Sequence, residues 1–247
     1  MQIKKTRLDT VLVSRGLAPN IKVAQSIIMQ GLVHNINKLL TKPGLLVSED
    51  ENISIKHTKN HNFVSRGGVK LEGALKSLNI SVENKICMDI GCSTGGFSQV
   101  LLQMGAAHIF AIDVGYGEFD YNLRMNSKIT LYEKTNCRFL TKEQIAQDPD
   151  LIVCDVSFIS LKLALVKVAE MAKVGAEFLL LIKPQFEAPR EDCNGGIITN
   201  PEVWDFVCND IANWLKIDHN FTVKQIIQSS ILGAKGNKEF FIYAIKN

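Results

Sequence analysis

The sequence has no apolar run approaching the 18 or so residues that cross a bilayer. Its most apolar stretch, Phe178 to Ile182, is only strand-sized. Nor does an apolar segment follow the lysines of "MQIKKTRLD", so no secretory leader and no membrane partner are expected. None of the six cysteines (Cys87, Cys92, Cys137, Cys154, Cys193, Cys208) is spaced as CxxC. That argues against a zinc or other metal site and for buried free thiols in a reducing cytoplasm. Internal repeats and low-complexity tracts are also missing. A cytoplasmic globular chain remains, with 46% hydrophobic and 21% charged residues over a length of 247.

The charge is small but uneven. Residues 1–60 hold nine lysines and arginines against four acids, and the rest hold 19 against 21. A basic head on a near-neutral body suggests a polyanion-binding module joined to something else, although a merely solvated basic surface is the plainer reading of charge alone.

The hydrophobic pattern divides at the same place. "RLDTVLVSRG" and "IKVAQSIIMQG" read as two short helices stopped by glycine, and "LVHNI" and "NISIKH" as strands around a Lys-Pro-Gly turn. This predicts a small α+β unit over 1–57. Residues 58–66 are read as a linker. From 67 to 247 strands alternate with helices: a helix over 70–78, then "KICMDIG", helix 95–104, "HIFAIDVG", "KITLYEKT", helix 141–147, "LIVCDVS", helix 160–173 and "EFLLLIKP". Such alternation predicts an α/β fold with a Rossmann-like, mostly parallel sheet. After helix 201–216, "FTVKQIIQSS" and "KEFFIYAIK" lie too close in sequence for a parallel crossover, so the sheet is expected to finish in an antiparallel hairpin. Trp204 and Trp214 are read as packing residues of that last helix.

"MDIGCSTGGFSQVLL" is a strand, a Gly-rich turn and a helix. Glycines 91, 95 and 96 permit a tight turn and a close backbone approach, and Asp113 ends the next strand, where a carboxylate can hold a ribose diol. The spacing is GxxxGG rather than GxGxxG, and Asp89 before the turn disfavours a diphosphate but suits an ammonium. This favours S-adenosylmethionine over a dinucleotide. A glycine turn serving only packing stays open as the plainer reading.

Ligands of open parallel sheets sit beyond the carboxyl ends of the strands. Asp155 ends "LIVCD", Lys183 ends "FLLLIK", Glu239 starts the last strand at the same edge, and Lys70 is expected to open a helix there. A lysine near a second cation in a partly desolvated cleft can take a proton from a ribose hydroxyl. Four strand-end charges meeting solvent are the alternative. A target amine more usually brings an (Asn/Asp/Ser)-Pro-Pro-(Tyr/Phe) loop, where this chain has "DVSFIS".

Together "VSRGGVKLEGAL", "DIGCSTGGFSQVLLQMGA", "AIDVGYGEFDYNLR", "CDVSFISL", "LIKPQFE" and "GAKGNKEFF" resemble the TlyA family of FtsJ-like ribosomal RNA ribose 2′-O-methyltransferases, often called hemolysins, and residues 7–56 resemble their S4-like RNA-binding domain. The resemblance implies a class I methyltransferase sheet and a catalytic tetrad of Lys70, Asp155, Lys183 and Glu239. It also implies methylation of a cytidine ribose in rRNA on ribosomal subunits, with no metal. The cofactor would lie against Asp89, Gly91, Ser93, Thr94, Gly95, Gly96, Phe97, Asp113, Asn136 and Asp155, with Asn136 near the adenine. Arg7, Arg15, Lys22 and Arg66 are the expected RNA contacts. The family's Ser-Arg pair at the start of the second helix is Ile21-Lys22 here, which exchanges a bidentate fork for a point charge. Gly67 and Gly68 are read as the turn or hinge that passes the chain from head to body. The rival readings are a non-catalytic RNA-binding protein and a pore-forming hemolysin.

Overall fold

A computed structural model describes residues 5–29, 31–36, 38–55 and 63–247, the side chains of residues 22, 26, 29 and 234 excepted. It divides into two compact units, Met1–His61 and Asn62–Asn247. Residues 58–62 of the expected linker lie outside the described residues.

The first unit runs β1 (Lys5–Arg7), α1 (Leu8–Ser14), α2 (Ile21–Met29), β2 (Val33–Asn35), β3 (Lys38–Leu39), β4 (Leu46–Ser48) and β5 (Ile53–Ile55). The apolar stripe of α1 (Leu8, Val11, Leu12) and that of α2 (Ala24, Ile28) close over Val33, Leu40, Val47 and Ile53. Strand β2 pairs antiparallel with β3 and β5, and β1 pairs with β4. Among the described residues, one carboxylate enters this core. Asp9, 1% exposed, accepts from Arg7 Nε at 3.0 Å and Arg7 Nη2 at 2.6 Å, and from Gln25 at 3.0 Å. The Arg7 guanidinium holds the Asp9 carboxyl down at about 2.

The second unit runs α3 (Arg66–Ser77), β6 (Ile86–Ile90), α4 (Gly96–Gln103), β7 (His108–Ile112), α5 (Tyr121–Arg124), β8 (Ile129–Tyr132), β9 (Leu151–Cys154), α6 (Leu161–Met171), β10 (Glu177–Ile182), α7 (Pro184–Glu187), α8 (Pro201–Asn213), β11 (Phe221–Gln228) and β12 (Phe240–Lys246). The sheet order is β11-β12-β10-β9-β6-β7-β8. The five strands from β10 to β8 are parallel, and β12 is antiparallel to both β10 and β11. This is the expected α/β class with its closing antiparallel hairpin. Period-2 alternation sends Met88, Ile90, Ile152 and Cys154 to one face, under α6 and α8. Cys87, Leu151, Val153, Leu179 and Leu181 go to the other, under α3 and α4. Five of the six free cysteines are buried, as read from the sequence.

Three local expectations change. Residues 141–147 hold only a 3-10 turn, Lys142–Gln144, because Ile145 and Ala146 are too few apolar residues for a helix face and Pro149 follows closely. Helix α8 continues past Asn213 as one π turn, Trp214–Asp218. Helix α3 opens at Arg66, not Lys70, so Gly67 and Gly68 lie within its first turn rather than in a separate turn before it. Gly68 is small because Phe63 comes close. A Cβ on Gly68 would stand 2.6 Å from Phe63 Cβ, and one on Gly96 would stand 3.0 Å from the Gly68 nitrogen.

Candidate active site

The strand order reverses around β6, whose neighbours are β7 and β9, and crevices form where order reverses. A cavity of about 420 Å³ opens there, lined by the ends of β6, β7 and β9 and the segments that follow them. Gly91 (φ 78°) sits at the junction, and a Cβ there would stand 2.8 Å from the Asp155 carbonyl oxygen. Only a glycine lets β6 turn this close to β9.

Asp113 lines the cavity with both oxygens pinned by backbone. Ser93 N–H donates to one at 2.8 Å and Gly115 N–H to the other at 2.7 Å. Each oxygen keeps a lone pair for a ligand hydroxyl. Glu118, which the sequence reading missed, accepts from Ser93 Oγ at 3.4 Å on the same wall. Asn136 also lines the cavity, and its Oδ1 accepts from Arg138 N–H.

Other expected cofactor residues stand behind the wall. Phe97 is 3% exposed and packs on Phe241, ring centroids 6.2 Å apart. Gly95 (φ 95°) is fitted against Leu123 and Phe119, and the Thr94 carbonyl accepts from Asp120 N–H. Asp89 is fully buried. Its Oδ2 accepts from Ser98 Oγ at 2.6 Å and its Oδ1 has no partner among the described residues. Burial pushes this carboxyl up to about 7, with Asp155 and Asp113 adding to the rise and the Ser98 bond opposing it.

The four separated charges meet as two ion pairs. Lys70 Nζ donates to Glu239 Oε2 at 2.7 Å, with both side chains under a tenth exposed. Lys183 Nζ lies 2.6 Å from Asp155 Oδ1 and donates to Ser157 Oγ at 2.7 Å. The ladder aligns Ile182 with Phe240, so Lys183 and Glu239 extend adjacent strands at one edge. Lys70 reaches that edge from the second turn of α3 rather than from its first residue.

The loop Asp155–Ser160 adds what sequence reasoning passed over. Ser157 lines the cavity, and Phe158 is 90% exposed with a left-handed backbone (φ 65°). Its ring lies 5.0 Å from that of Phe186, which lies beneath the Lys183 ammonium. The available signal was an aromatic residue in a polar segment directly after a strand-end aspartate.

Of the expected RNA contacts, Arg7 is engaged by Asp9 but half exposed. Arg15 donates to the carbonyls of Glu49 and Glu51, and exposed Arg66 donates to the Leu232 carbonyl at 2.7 Å. The side chain of Lys22 lies outside the described residues. Trp204 and Trp214 are packing residues. The first carries Lys238 over its ring at 4.4 Å, and the second is 7% exposed against His219.

An FtsJ-like methyltransferase model matches residues 63–246, and an S4 domain model matches residues 6–53. The 16S/23S rRNA (cytidine-2′-O)-methyltransferase TlyA of Mycobacterium tuberculosis is 36% identical over 97% of this chain and 90% of its own length. Hemolysin A of Brachyspira hyodysenteriae is 39% identical over 97% of this chain and 99% of its own. A candidate hemolysin structure from Streptococcus thermophilus superposes with a TM-score of 0.74 at 37% identity, covering 99% of this chain and 90% of that one. Over nearly its whole length, the chain belongs to the TlyA family, in which an S4 domain precedes an FtsJ-like methyltransferase.

Proposed function

We propose that this protein transfers a methyl group from S-adenosylmethionine to the 2′-hydroxyl of a cytidine in ribosomal RNA, in the cytoplasm. Residues 1–57 dock a ribosomal subunit and residues from 67 onward carry the chemistry. One observation carries the reading: the Lys70–Glu239 and Lys183–Asp155 pairs stand at the sheet edge that holds the cavity.

The donor set suits this cofactor. Among the described residues the cavity wall carries Asp113 and Glu118, and Asp155 paired with Lys183, with no lysine or arginine in the lining itself. Such a wall repels a diphosphate and attracts a sulfonium with an α-ammonium. Ile90, Ile112, Val114 and Ile159 offer the apolar surface an adenine needs. In this reading Asp113 takes the ribose diol and Asn136 stands near the adenine. Gly91 and Ser93 approach the amino-acid tail, with Asp89 beneath them. The bound cofactor would supply an electrophilic methyl on sulfur.

The chain's own residues do the rest. Lys183 activates the 2′-hydroxyl, and Asp155 orients Lys183. Lys70 and Glu239 position the ribose. Exposed Phe158 offers its face to the target base, since every base presents a π-surface to an aromatic ring. Holding the oxygen in attack geometry supplies much of the rate. Arg7, Lys22 and Arg66 are assigned phosphate contacts. Arg15 serves that surface by holding the carbonyls at Glu49 and Glu51.

The test maps ribose methylation in rRNA from cells with and without the gene. Loss of 2′-O-methylation at a cytidine is expected in the deletion, and an unchanged map overturns the reading. The non-catalytic alternative is separated by Lys183→Ala, which should abolish transfer but keep rRNA binding.

A further inference from the structure

Lys183 has one ion-pair partner and one hydrogen-bond acceptor. Asp155 Oδ1 stands at 2.6 Å and Ser157 Oγ at 2.7 Å. An ammonium is tetrahedral, so the hydrogen bond to Ser157 fixes one N–H direction and narrows where the other two point. With the ion pair to Asp155 alone, which occupies no N–H direction, the group could turn about its stem.

Ser157 is itself held from a distance. Beyond the Asp155–Lys183 ion pair, the segment 155–161 and the segment 183–187 are joined at three further places. Ser157 meets Lys183, and the Phe158 ring meets the Phe186 ring. At the far end Glu187 Oε1 accepts the Leu161 N–H at 2.7 Å, where α6 begins. Glu187 is absent from the cavity lining, and burial raises its carboxyl above the usual range. A largely buried carboxylate spent on one helix start has a use if the loop in between must not move.

We infer that Ser157 is a positioning residue for methyl transfer, aiming the Lys183 nitrogen at the ribose hydroxyl, and that Glu187 anchors the loop that presents it. The inference rests on the proposed 2′-O-methyltransferase reading. Ser157 acts through Lys183, and Glu187 acts through the loop.

The test compares the full chain with Ser157→Ala, Ser157→Thr, Glu187→Ala and Glu187→Gln. Transfer is measured on ribosomal subunits from a strain lacking the gene, and S-adenosylmethionine affinity by calorimetry. Ser157→Ala should lower kcat on the order of tenfold to a hundredfold, the scale of a small misplacement of a reacting group. Cofactor Kd should stay within about twofold. Ser157→Thr, which keeps the hydroxyl, should restore most of the rate. Glu187→Ala should follow Ser157→Ala, and Glu187→Gln, which keeps an acceptor for Leu161, should recover. Full kcat in Ser157→Ala, or equal loss in Ala and Thr, overturns the role of Ser157. Equal loss in both Glu187 variants, or loss in neither, overturns the anchor. No transfer by the unsubstituted chain overturns the reading itself, and the inference with it.

Discussion

Lys70 and Glu239 lie 169 residues apart in sequence, yet the ammonium of one is 2.7 Å from the carboxylate of the other in a nearly dry pocket. Helix α3 and strand β12 share no local signal. The pair exists because the last strand runs antiparallel to β10 and so starts at the edge where the parallel strands end.

Breaking this pair on one side leaves a charge stranded in the interior. Lys70→Met or Glu239→Leu alone should each destabilise the second unit by about 3–5 kcal/mol, while the double substitution recovers most of that loss. Urea unfolding measures the three variants. Methyl transfer should be absent in all of them. A double variant no more stable than the singles would show that the two charges are not coupled.

Asp113 should matter to the cofactor and little to the chemistry. Asp113→Ala removes the acceptor for Ser93 and Gly115 N–H along with the proposed seat of the ribose diol. The S-adenosylmethionine Kd is expected to rise on the order of tenfold to a hundredfold, about 1.4–2.8 kcal/mol. Calorimetry reads it directly, and an unchanged Kd removes Asp113 from the site.

The buried carboxyl of Asp89 gives the unliganded protein a pH dependence of known sign. Its value is 3.8 in water and about 7 in the fold, with burial the main cause. Between those values the folded state binds more protons than the unfolded one, so stability falls as pH rises through the window and levels off above about 7. The slope from this group is at most about 1.4 kcal/mol per pH unit. Asp89→Asn should remove that slope between pH 5 and pH 8. Parallel stability profiles for the two proteins would reject the assignment.

The first turn of α3 tolerates no side chain at Gly68. Gly68→Ala puts a Cβ within 2.8 Å of the Phe63 ring and should cost about 1–3 kcal/mol, the usual range for overpacking. Phe63→Ala in the same chain should relieve much of that strain beyond its own loss of packing. Thermal unfolding distinguishes the cases, and a fully additive double variant would rule out the contact.

Much of the site was legible because strand ends are legible. Asp155 and Lys183 each follow a run of apolar residues that only a buried strand explains, and parallel strands bring their carboxyl ends together. Glu239 needed one more inference, that two closely spaced strands must be antiparallel. The glycines were harder. "SRGGVK" reads as a turn, since Gly-Gly is poor helix material, but both glycines sit in a helix, and Phe63 leaves no room for a side chain at Gly68. Phe97 and Asp89 were placed near the cofactor by motif spacing. Spacing does not say which way a side chain faces, and both face inward.

What the amino-acid order determined by itself was periodic. It set the alternation of strands and helices, the point at which a basic head gives way to an apolar body, and the charges that close each strand. Tertiary structure decided what depends on distance across the sheet. It set the division of four charges into Lys70–Glu239 and Lys183–Asp155, the addition of Ser157 to the second pair, and the retreat of Phe97 into the core. A local pattern records which face a residue must bury. Only the packed sheet sets which partner stands within 3 Å of it.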